Sequence, residues 1–140
     1  MIKILVPVDG SAGSDKAVRF AMFLAEAKDS EIIVLNVQPS YNTFNVKLMF
    51  SQEQIRAFQD ESSREIFNHI RAITNSSPVP VHTVLRTGDP GKEICAEAQE
   101  NRADIIVMGY RGLGAVKRAI LGSVANHVLH DTPCPLTIVP

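Results

Sequence analysis

Short apolar runs alternate with longer amphipathic stretches along the whole chain. Runs rich in β-branched and apolar residues predict five strands: Ile2–Val8, Glu31–Val37, Val79–Arg86, Ala103–Gly109 and Pro135–Val139. Apolar residues at helical spacing predict four helices between them: Ser14–Asp29, Ser51–Asn75, Gly88–Arg102 and Ser123–Asp131. Because strands and helices alternate, the sequence predicts an α/β fold, a doubly wound parallel five-stranded sheet with helices on both faces. Its 140 residues suit a single domain, residues 1–140.

Capping residues mark the start of each predicted helix. The predicted N-caps are Ser14, Ser51, Asp89 and Ser123. Gln54 completes a capping box with Ser51, and Pro90 follows Asp89 at a first helical position. The long second helix is mostly polar, and its narrow apolar stripe consists of Ile55, Phe58, Ile66, Ile70 and Ile73.

Two segments modify this simple alternation. Pro80 favours an edge position for the third strand, because proline cannot donate a hydrogen bond to a neighbouring strand. The connection Gln38–Phe50 has no clear period and is predicted to be irregular, yet it carries Tyr41, Phe44, Leu48, Met49 and Phe50. A connection of that length in a compact domain is typical of a functional loop or an interface.

Composition narrows the classes of function. Fourteen basic and fifteen acidic residues give a net charge of −1, which offers no electrostatic attraction to nucleic acid or to an anionic membrane. No apolar run approaches the length of a membrane span, so we expect no membrane insertion. The only cysteines, Cys95 and Cys134, are far apart in sequence and favour a reducing compartment, the cytoplasm.

The glycine-rich stretch GYRGLGAVKRAILGS after the fourth strand carries the candidate chemistry. It is not a P-loop, because Ala115 and Val116 stand where lysine and a hydroxyl are required, and it lacks the dinucleotide fingerprint. What remains is the spacing Gly109-x2-Gly112-x9-Gly122-Ser123, at the start of the last predicted helix. Glycines allow close approach of the backbone and a helix start attracts anions, which favours phosphate over ordinary tight turns.

Ligands of parallel α/β sheets bind beyond the carboxyl ends of the strands, where the strand order reverses. If the first and fourth strands are neighbours there, the loop Val8–Ser11 and the glycine segment converge. Asp9, just before Gly10, could bond the turn backbone, accept a hydrogen bond from a nucleotide with the aid of a metal, or do both. His127 and His130 have a spacing that metal sites use, but no third ligand is evident.

The stretches VPVDGS, ADIIVMGYRGLG and LGSVANHVLHDTPCPLTIVP together resemble the universal stress protein family, over the whole chain. The resemblance implies an adenine-nucleotide alpha-hydrolase-like fold with strand order 3-2-1-4-5 and a nucleotide at the switch point. ATP-binding members of that family carry G-x2-G-x9-G-[S/T], which is intact here. ATP with Mg²⁺ is therefore the expected ligand; the metal ligands are not identified, and Asp9 could be one through Mg-ATP.

Carried over residue by residue, the resemblance implies two sets of contacts. Adenosine would lie against Pro7, Val8, Asp9, Val37, Met108 and Gly109. The triphosphate would be surrounded by Arg111, Gly112, Gly122, Ser123 and Val124. Ala125 departs from several family members, which have a hydroxyl there, and this puts one phosphate contact in question.

The expected function is that of a nucleotide-responsive regulator in the stress response, with an unidentified protein partner. The alternatives are a slow ATP hydrolase and an adenylating enzyme, since Asp9–Ala17 loosely resembles the phosphate loop of ATP pyrophosphatases. The last strand, Leu136–Val139, is apolar and would lie bare at the sheet edge. A bare edge invites pairing with another chain, so we expect a homodimer through this strand, as in many family members.

Overall fold

The structure is a computed structural model that describes residues 1–27, 29–110 and 120–140. Its strands are β1 (Ile2–Pro7), β2 (Ser30–Gln38), β3 (Val81–Thr87), β4 (Ile105–Gly109) and β5 (Leu136–Val139). Its helices are α1 (Ala12–Ala25), α2 (Phe44–Met49), α3 (Gln52–Thr74), α4 (Pro90–Glu100) and α5 (Ser123–Asp131). No helix within these ranges is both long enough and apolar enough to cross a bilayer.

The five strands form one parallel sheet in the order β3-β2-β1-β4-β5, which confirms the predicted fold class and the edge position of β3. The two neighbours of β1 are paired very differently. With β2 the pairing runs along the whole strand, from Ile2 opposite Ser30 to Pro7 opposite Leu35. With β4 it ends at Leu5, which lies opposite Ile106. The carboxyl ends of β1 and β4 therefore extend beyond the last residues that these two strands pair with each other.

Two apolar clusters lie on opposite faces of the sheet, as alternation along buried strands requires. Ile4 and Val6 of β1 belong to the cluster under α1 and α3, whereas Leu5 belongs to the cluster under α4 and α5. All three side chains are almost completely buried. Burying each such side chain stabilises the fold by roughly 1.5–3 kcal/mol, so helices on both faces contribute to stability.

The first helix begins earlier than predicted. Its N-cap is Ser11, whose Oγ accepts a hydrogen bond from the Ser14 amide at 3.2 Å, so the prediction of Ser14 as the cap is wrong. The early start places Gly13 in the first turn of α1. A Cβ built on Gly109 would lie 2.7 Å from the Gly13 carbonyl oxygen, closer than side chains approach backbone. Glycine at position 109 thus allows the first turn of α1 to contact the end of β4.

The other helix starts are close to the prediction. The capping box is present, with the Gln54 amide 3.1 Å from Ser51 Oγ and the Ser51 amide 2.8 Å from Gln54 Oε1. Asp89 caps α4, where its Oδ2 accepts from the Lys92 amide at 3.0 Å. At α5 the prediction is one residue late, because Gly122 is the N-cap and Ser123 is the first helical residue.

Two predictions about the segment between β2 and β3 are wrong. A short helix, α2, lies within the connection that was predicted to be irregular. On α3, Phe58 is 57% exposed and does not belong to a buried stripe. The residues that α3 buries are Gln59, Ser63, Phe67 and Ile70. Gln59 is accommodated because its Nε2 donates to the Pro39 carbonyl at 2.7 Å.

One arginine joins the edge strand β3 to α4. Arg86 Nε lies 3.0 Å from Glu93 Oε1, and its Nη1 lies 3.0 Å from both Glu97 Oε1 and Glu100 Oε2. The Glu97 side chain is only 5% exposed, so the cluster reaches into the protein. The hydrogen bond from Arg86 holds the pKa of Glu100 below its usual value, and the same bond raises the pKa of Arg86.

Candidate functional site

The carboxyl edge of the sheet brings together most of the residues predicted to bind a ligand. Pro7 ends β1 and is followed by Val8 and Asp9, Val37 lies near the end of β2, Met108 and Gly109 end β4, and Gly122, Ser123 and Val124 begin α5. Arg111 and Gly112 lie outside the described residues. At this edge β1 and β4 are adjacent but unpaired, which is the geometry of the crevice where such sheets bind ligands.

Asp9 organises the turn between β1 and α1. Its Oδ1 accepts a hydrogen bond from the Ser11 amide at 2.9 Å, and its own amide donates to Ser14 Oγ at 3.4 Å. Gly10 has a φ of +86°, a conformation that residues with a side chain rarely adopt. Asp9 therefore has the turn-forming role that the sequence allowed, and its side chain stays half-buried at the crevice.

A row of carboxamides fixes the end of β1, and sequence reasoning missed it. Asn36 Nδ2 donates to the Val8 carbonyl at 2.8 Å, and Gln38 Nε2 donates to Asn36 Oδ1 at 2.8 Å. Asn36 is only 2% exposed, and the Val8 amide donates to the Leu35 carbonyl. The sequence did carry a signal for this row: Asn36 and Gln38 are polar, lie two residues apart and end an otherwise apolar strand. A spacing of two places both side chains on one face of the sheet.

The start of α5 is held against the end of β4. The Gly122 amide donates to the Tyr110 carbonyl at 3.0 Å, and the Tyr110 amide donates to the Val139 carbonyl at 2.8 Å. Among the described residues, no side chain caps α5, in contrast to α1, α3 and α4. Helix geometry leaves the amides of Ser123 and Val124 without an acceptor inside α5. These N–H groups and the helix dipole make this point at the edge of the crevice attractive to anions.

Three of the described histidines, His69, His82 and His127, lie beside carboxylates. His127 Nε2 is 3.0 Å from Asp131 Oδ2, while its Nδ1 is 3.6 Å from Asp89 Oδ2. The two ring nitrogens of His127 face different carboxylates, so these three side chains do not point at one common position where a metal ion could bind. Within residues 1–27, 29–110 and 120–140, no group of three or more His, Cys, Asp or Glu side chains could hold a metal ion.

Neither cysteine has the environment of an activated nucleophile. Cys95 and Cys134 are free thiols, half-buried against the apolar cluster under α4 and α5. Burial raises the pKa of Cys95, and it raises the pKa of Cys134 as well. A thiol with a raised pKa is largely protonated at neutral pH and reacts slowly.

Comparison with known families gives a match over the full chain. A model of the universal stress protein family matches residues 1–140. Universal stress protein MJ0531 of Methanocaldococcus jannaschii is 31% identical over 98% of this chain and 81% of its own length. Universal stress protein YxiE of Bacillus subtilis is 31% identical over 98% of this chain and 97% of its own length.

Solved structures share the fold. The hypothetical protein MJ0577 superposes with a TM-score of 0.84 at 27% identity, covering 99% of this chain and 94% of its own. Two structures are less similar in sequence, each covering 99% of this chain. One is a universal stress protein in complex with cAMP, with 21% identity and a TM-score of 0.74 over 97% of its length. The other is an Arabidopsis thaliana protein of the family with AMP bound, with 22% identity and a TM-score of 0.68 over 91% of its length.

Proposed function

The chain belongs to the universal stress protein family, and from this we propose that it binds an adenine nucleotide, ATP with Mg²⁺, and acts as a nucleotide-responsive regulator. We further propose that residues 1–140 form one functional domain that works in the cytoplasm as a homodimer. Two free cysteines suit a reducing compartment. Nucleotide occupancy would then set the shape of the carboxyl edge and the choice of protein partner.

The observation that carries this proposal is the uncapped start of α5 beside the open ends of β1 and β4. A phosphate group placed there would supply acceptors to the first-turn amides, which have none inside α5, and would meet the positive end of the helix dipole. Nucleotides in solved relatives support the class of ligand: one family structure contains cAMP and another contains AMP.

We assign the contacts in two sets. Pro7, Val8, Asp9, Val37, Met108 and Gly109 would contact the adenosine. Arg111, Gly112, Gly122, Ser123 and Val124 would surround the phosphates. Mg²⁺ would arrive with the nucleotide, whose phosphate oxygens are its usual ligands, and Asp9 is the carboxylate of the β1–α1 turn that could join them.

Regulation is favoured over catalysis. Asp9 is the general base that the site offers, but its Oδ1 already accepts the Ser11 amide in the turn. Slow ATP hydrolysis and adenylation remain the alternatives, and steady release of phosphate or a burst of pyrophosphate would identify them.

Calorimetry with Mg-ATP should give a saturable heat and raise the melting temperature. Adenosine should bind more weakly than ATP, because it has no phosphate to accept from the start of α5. Mass spectrometry of nucleotide released from freshly purified protein would name the ligand that is bound in cells. The proposal fails if millimolar ATP produces neither heat nor a thermal shift.

Pairing through β5 should depend on its outward backbone groups. In the parallel β4–β5 ladder, the Ile106 amide donates to the Pro135 carbonyl and the Tyr110 amide donates to the Val139 carbonyl. The backbone groups of Ile138 therefore point away from β4, toward a partner strand. The Ile138 side chain packs against the cluster under α4 and α5. Ile138→Lys would therefore place a charge against this cluster and would not test the outward edge of β5.

Ile138→Pro removes one outward N–H and leaves the bonds to β4 in place, so it should halve the mass measured by light scattering. Ile138→Ala is the matched control, because it removes side chain but keeps the N–H, and it should retain the wild-type mass. Equal masses for the two folded variants would show that β5 is not the interface.

A further inference from the structure

The short helix α2 and the start of α3 present large apolar side chains to solvent. Phe44 and Met49 are each 75% exposed, Leu48 is 69% exposed, Phe58 is 57% exposed and Phe50 is 50% exposed. We call these five side chains the α2 surface. Phe44 and Leu48 are four residues apart and so share one face of α2.

The described chain does not cover this surface. None of the residues of α2 is buried. The connection is nevertheless held to α3, because the Tyr41 ring packs edge-on against the Phe58 ring with centroids 5.7 Å apart. Gln59 adds a bond from α3 to the Pro39 carbonyl. The exposed side chains are therefore presented on an anchored segment.

The size of the α2 surface fits a protein–protein contact. A phenylalanine side chain can bury roughly 150–250 Å², so five large side chains at these exposures present on the order of 500 Å². That lies at the upper end of the roughly 300–600 Å² patches found on monomers, which are often functional. A stable pair buries roughly 800 Å² per partner, with an apolar centre and a polar rim. The α2 surface would supply such a centre, and neighbouring polar residues the rim.

The charges around the α2 surface favour a second copy of the same chain. Residues 44–61 carry Lys47 and Arg56 together with Glu53, Asp60 and Glu61. Both signs occur on one short segment, so a two-fold arrangement can place basic residues opposite acidic ones. With Arg64, which pairs with Glu61, residues 44–64 carry three residues of each sign, so the net charge gives no attraction to an anionic lipid surface.

We propose that the α2 surface is a two-fold contact between copies of this chain, separate from β5. Two chains would pair through β5 to form a dimer, and the α2 surfaces would then join such dimers into larger assemblies. The proposal does not depend on nucleotide binding, because none of its residues belongs to the assigned site.

Sedimentation velocity at micromolar protein concentration tests this contact. Phe44→Ser/Leu48→Ser should reduce the mass of the assembly to that of the β5 dimer, because it removes two neighbouring apolar side chains from the centre. Phe23→Ser is the matched control: Phe23 is a 66% exposed phenylalanine on α1, outside the α2 surface, and its variant should keep the wild-type mass.

The Ile138→Pro background separates the two contacts. There the α2 surface alone should give dimers, and adding Phe44→Ser/Leu48→Ser should give monomers of 15.3 kDa. A second readout uses Leu48→Cys in a chain whose native cysteines are alanine, which should form an intermolecular disulfide on mild oxidation. Phe23→Cys in the same background should not. If Phe44→Ser/Leu48→Ser leaves the mass unchanged, the proposal is wrong, whether or not the wild-type chain binds phosphatidylserine vesicles. Equal cross-linking of the Leu48→Cys and Phe23→Cys variants would also overturn it.

Discussion

Gly122→Val should abolish ATP binding while leaving the chain folded. Gly122 has a φ of −59° and a ψ of 153°, which valine adopts without strain, so the backbone itself tolerates the change. The branched side chain would stand at the start of α5, where phosphate oxygens must approach the first-turn amides. Losing two charge-assisted hydrogen bonds, each worth roughly 1.5–3 kcal/mol, should weaken binding at least about a hundredfold in calorimetry.

Ser123→Ala separates the backbone contribution from that of the hydroxyl. It keeps every amide at the start of α5 and removes one neutral hydrogen bond, so the loss should be roughly 1 kcal/mol, or about fivefold in affinity. Urea unfolding of both variants verifies that they are folded. Normal ATP affinity in a folded Gly122→Val chain would mean that the glycine segment forms only a turn.

Arg86→Ala should lower the free energy of unfolding by about 3 kcal/mol. Arg86 is 21% exposed and bonds three carboxylates of α4, of which Glu97 is 5% exposed. Removing the guanidinium leaves Glu97 nearly buried without its cationic partner, and such breaks cost roughly 3–5 kcal/mol. We expect the lower end of that range, because the Asn101 amide still contacts Glu97. Chemical denaturation at fixed protein concentration gives the value.

The matched control is Arg64→Ala. Arg64 pairs with Glu61 at 3.1 Å, but both side chains are 63% exposed, so the change in the free energy of unfolding should stay within about 0.5 kcal/mol.

The loss of stability caused by Arg86→Ala should also shrink in acid. Arg86 lowers the pKa of Glu100, so the pair stabilises the fold above the unfolded pKa of roughly 4.3 and loses that effect as pH falls through the lower folded pKa. Equal losses in both variants, or a deficit that persists at pH 2, would contradict this account of the cluster.

The sequence predicted the sheet well because its signals are local. Each strand is a short apolar run, and each lies between helices with recognisable caps such as Ser51 with Gln54 and Asp89 with Pro90. The start of α1 was missed for a non-local reason. Gly13 argues against helix by its own propensity, yet it is tolerated in the first turn, where the end of β4 comes close.

The segment around α2 escaped prediction for the opposite reason. A helix of six residues that buries none of them leaves no period of apolar positions to detect. On α3, Phe58 was assigned to the apolar stripe because it is apolar, and the polar Gln59 was not. The structure reverses both, because the Pro39 carbonyl gives the Gln59 amide a partner that is distant in sequence.

The candidate site was predictable only in part. The ends of β1 and β4 and the start of α5 follow from the strand order and from the glycine spacing. The role of Asn36 did not follow, because it exists only when β1 and β2 lie side by side and the Val8 carbonyl is within reach. Arg111 and Gly112 remain predictions from the sequence.

The amide that holds the Val8 carbonyl also bears on how the protein ages. Spontaneous deamidation of Asn36 would replace its donating Nδ2 with an oxygen, so two acceptors would face each other in a buried place. That reaction requires the following backbone nitrogen, of Val37, to swing round onto the side chain. Val37 lies inside β2 opposite Arg86 of β3, and this pairing keeps its backbone extended. The ladder that makes Asn36 useful also slows the chemical damage to which asparagine is prone.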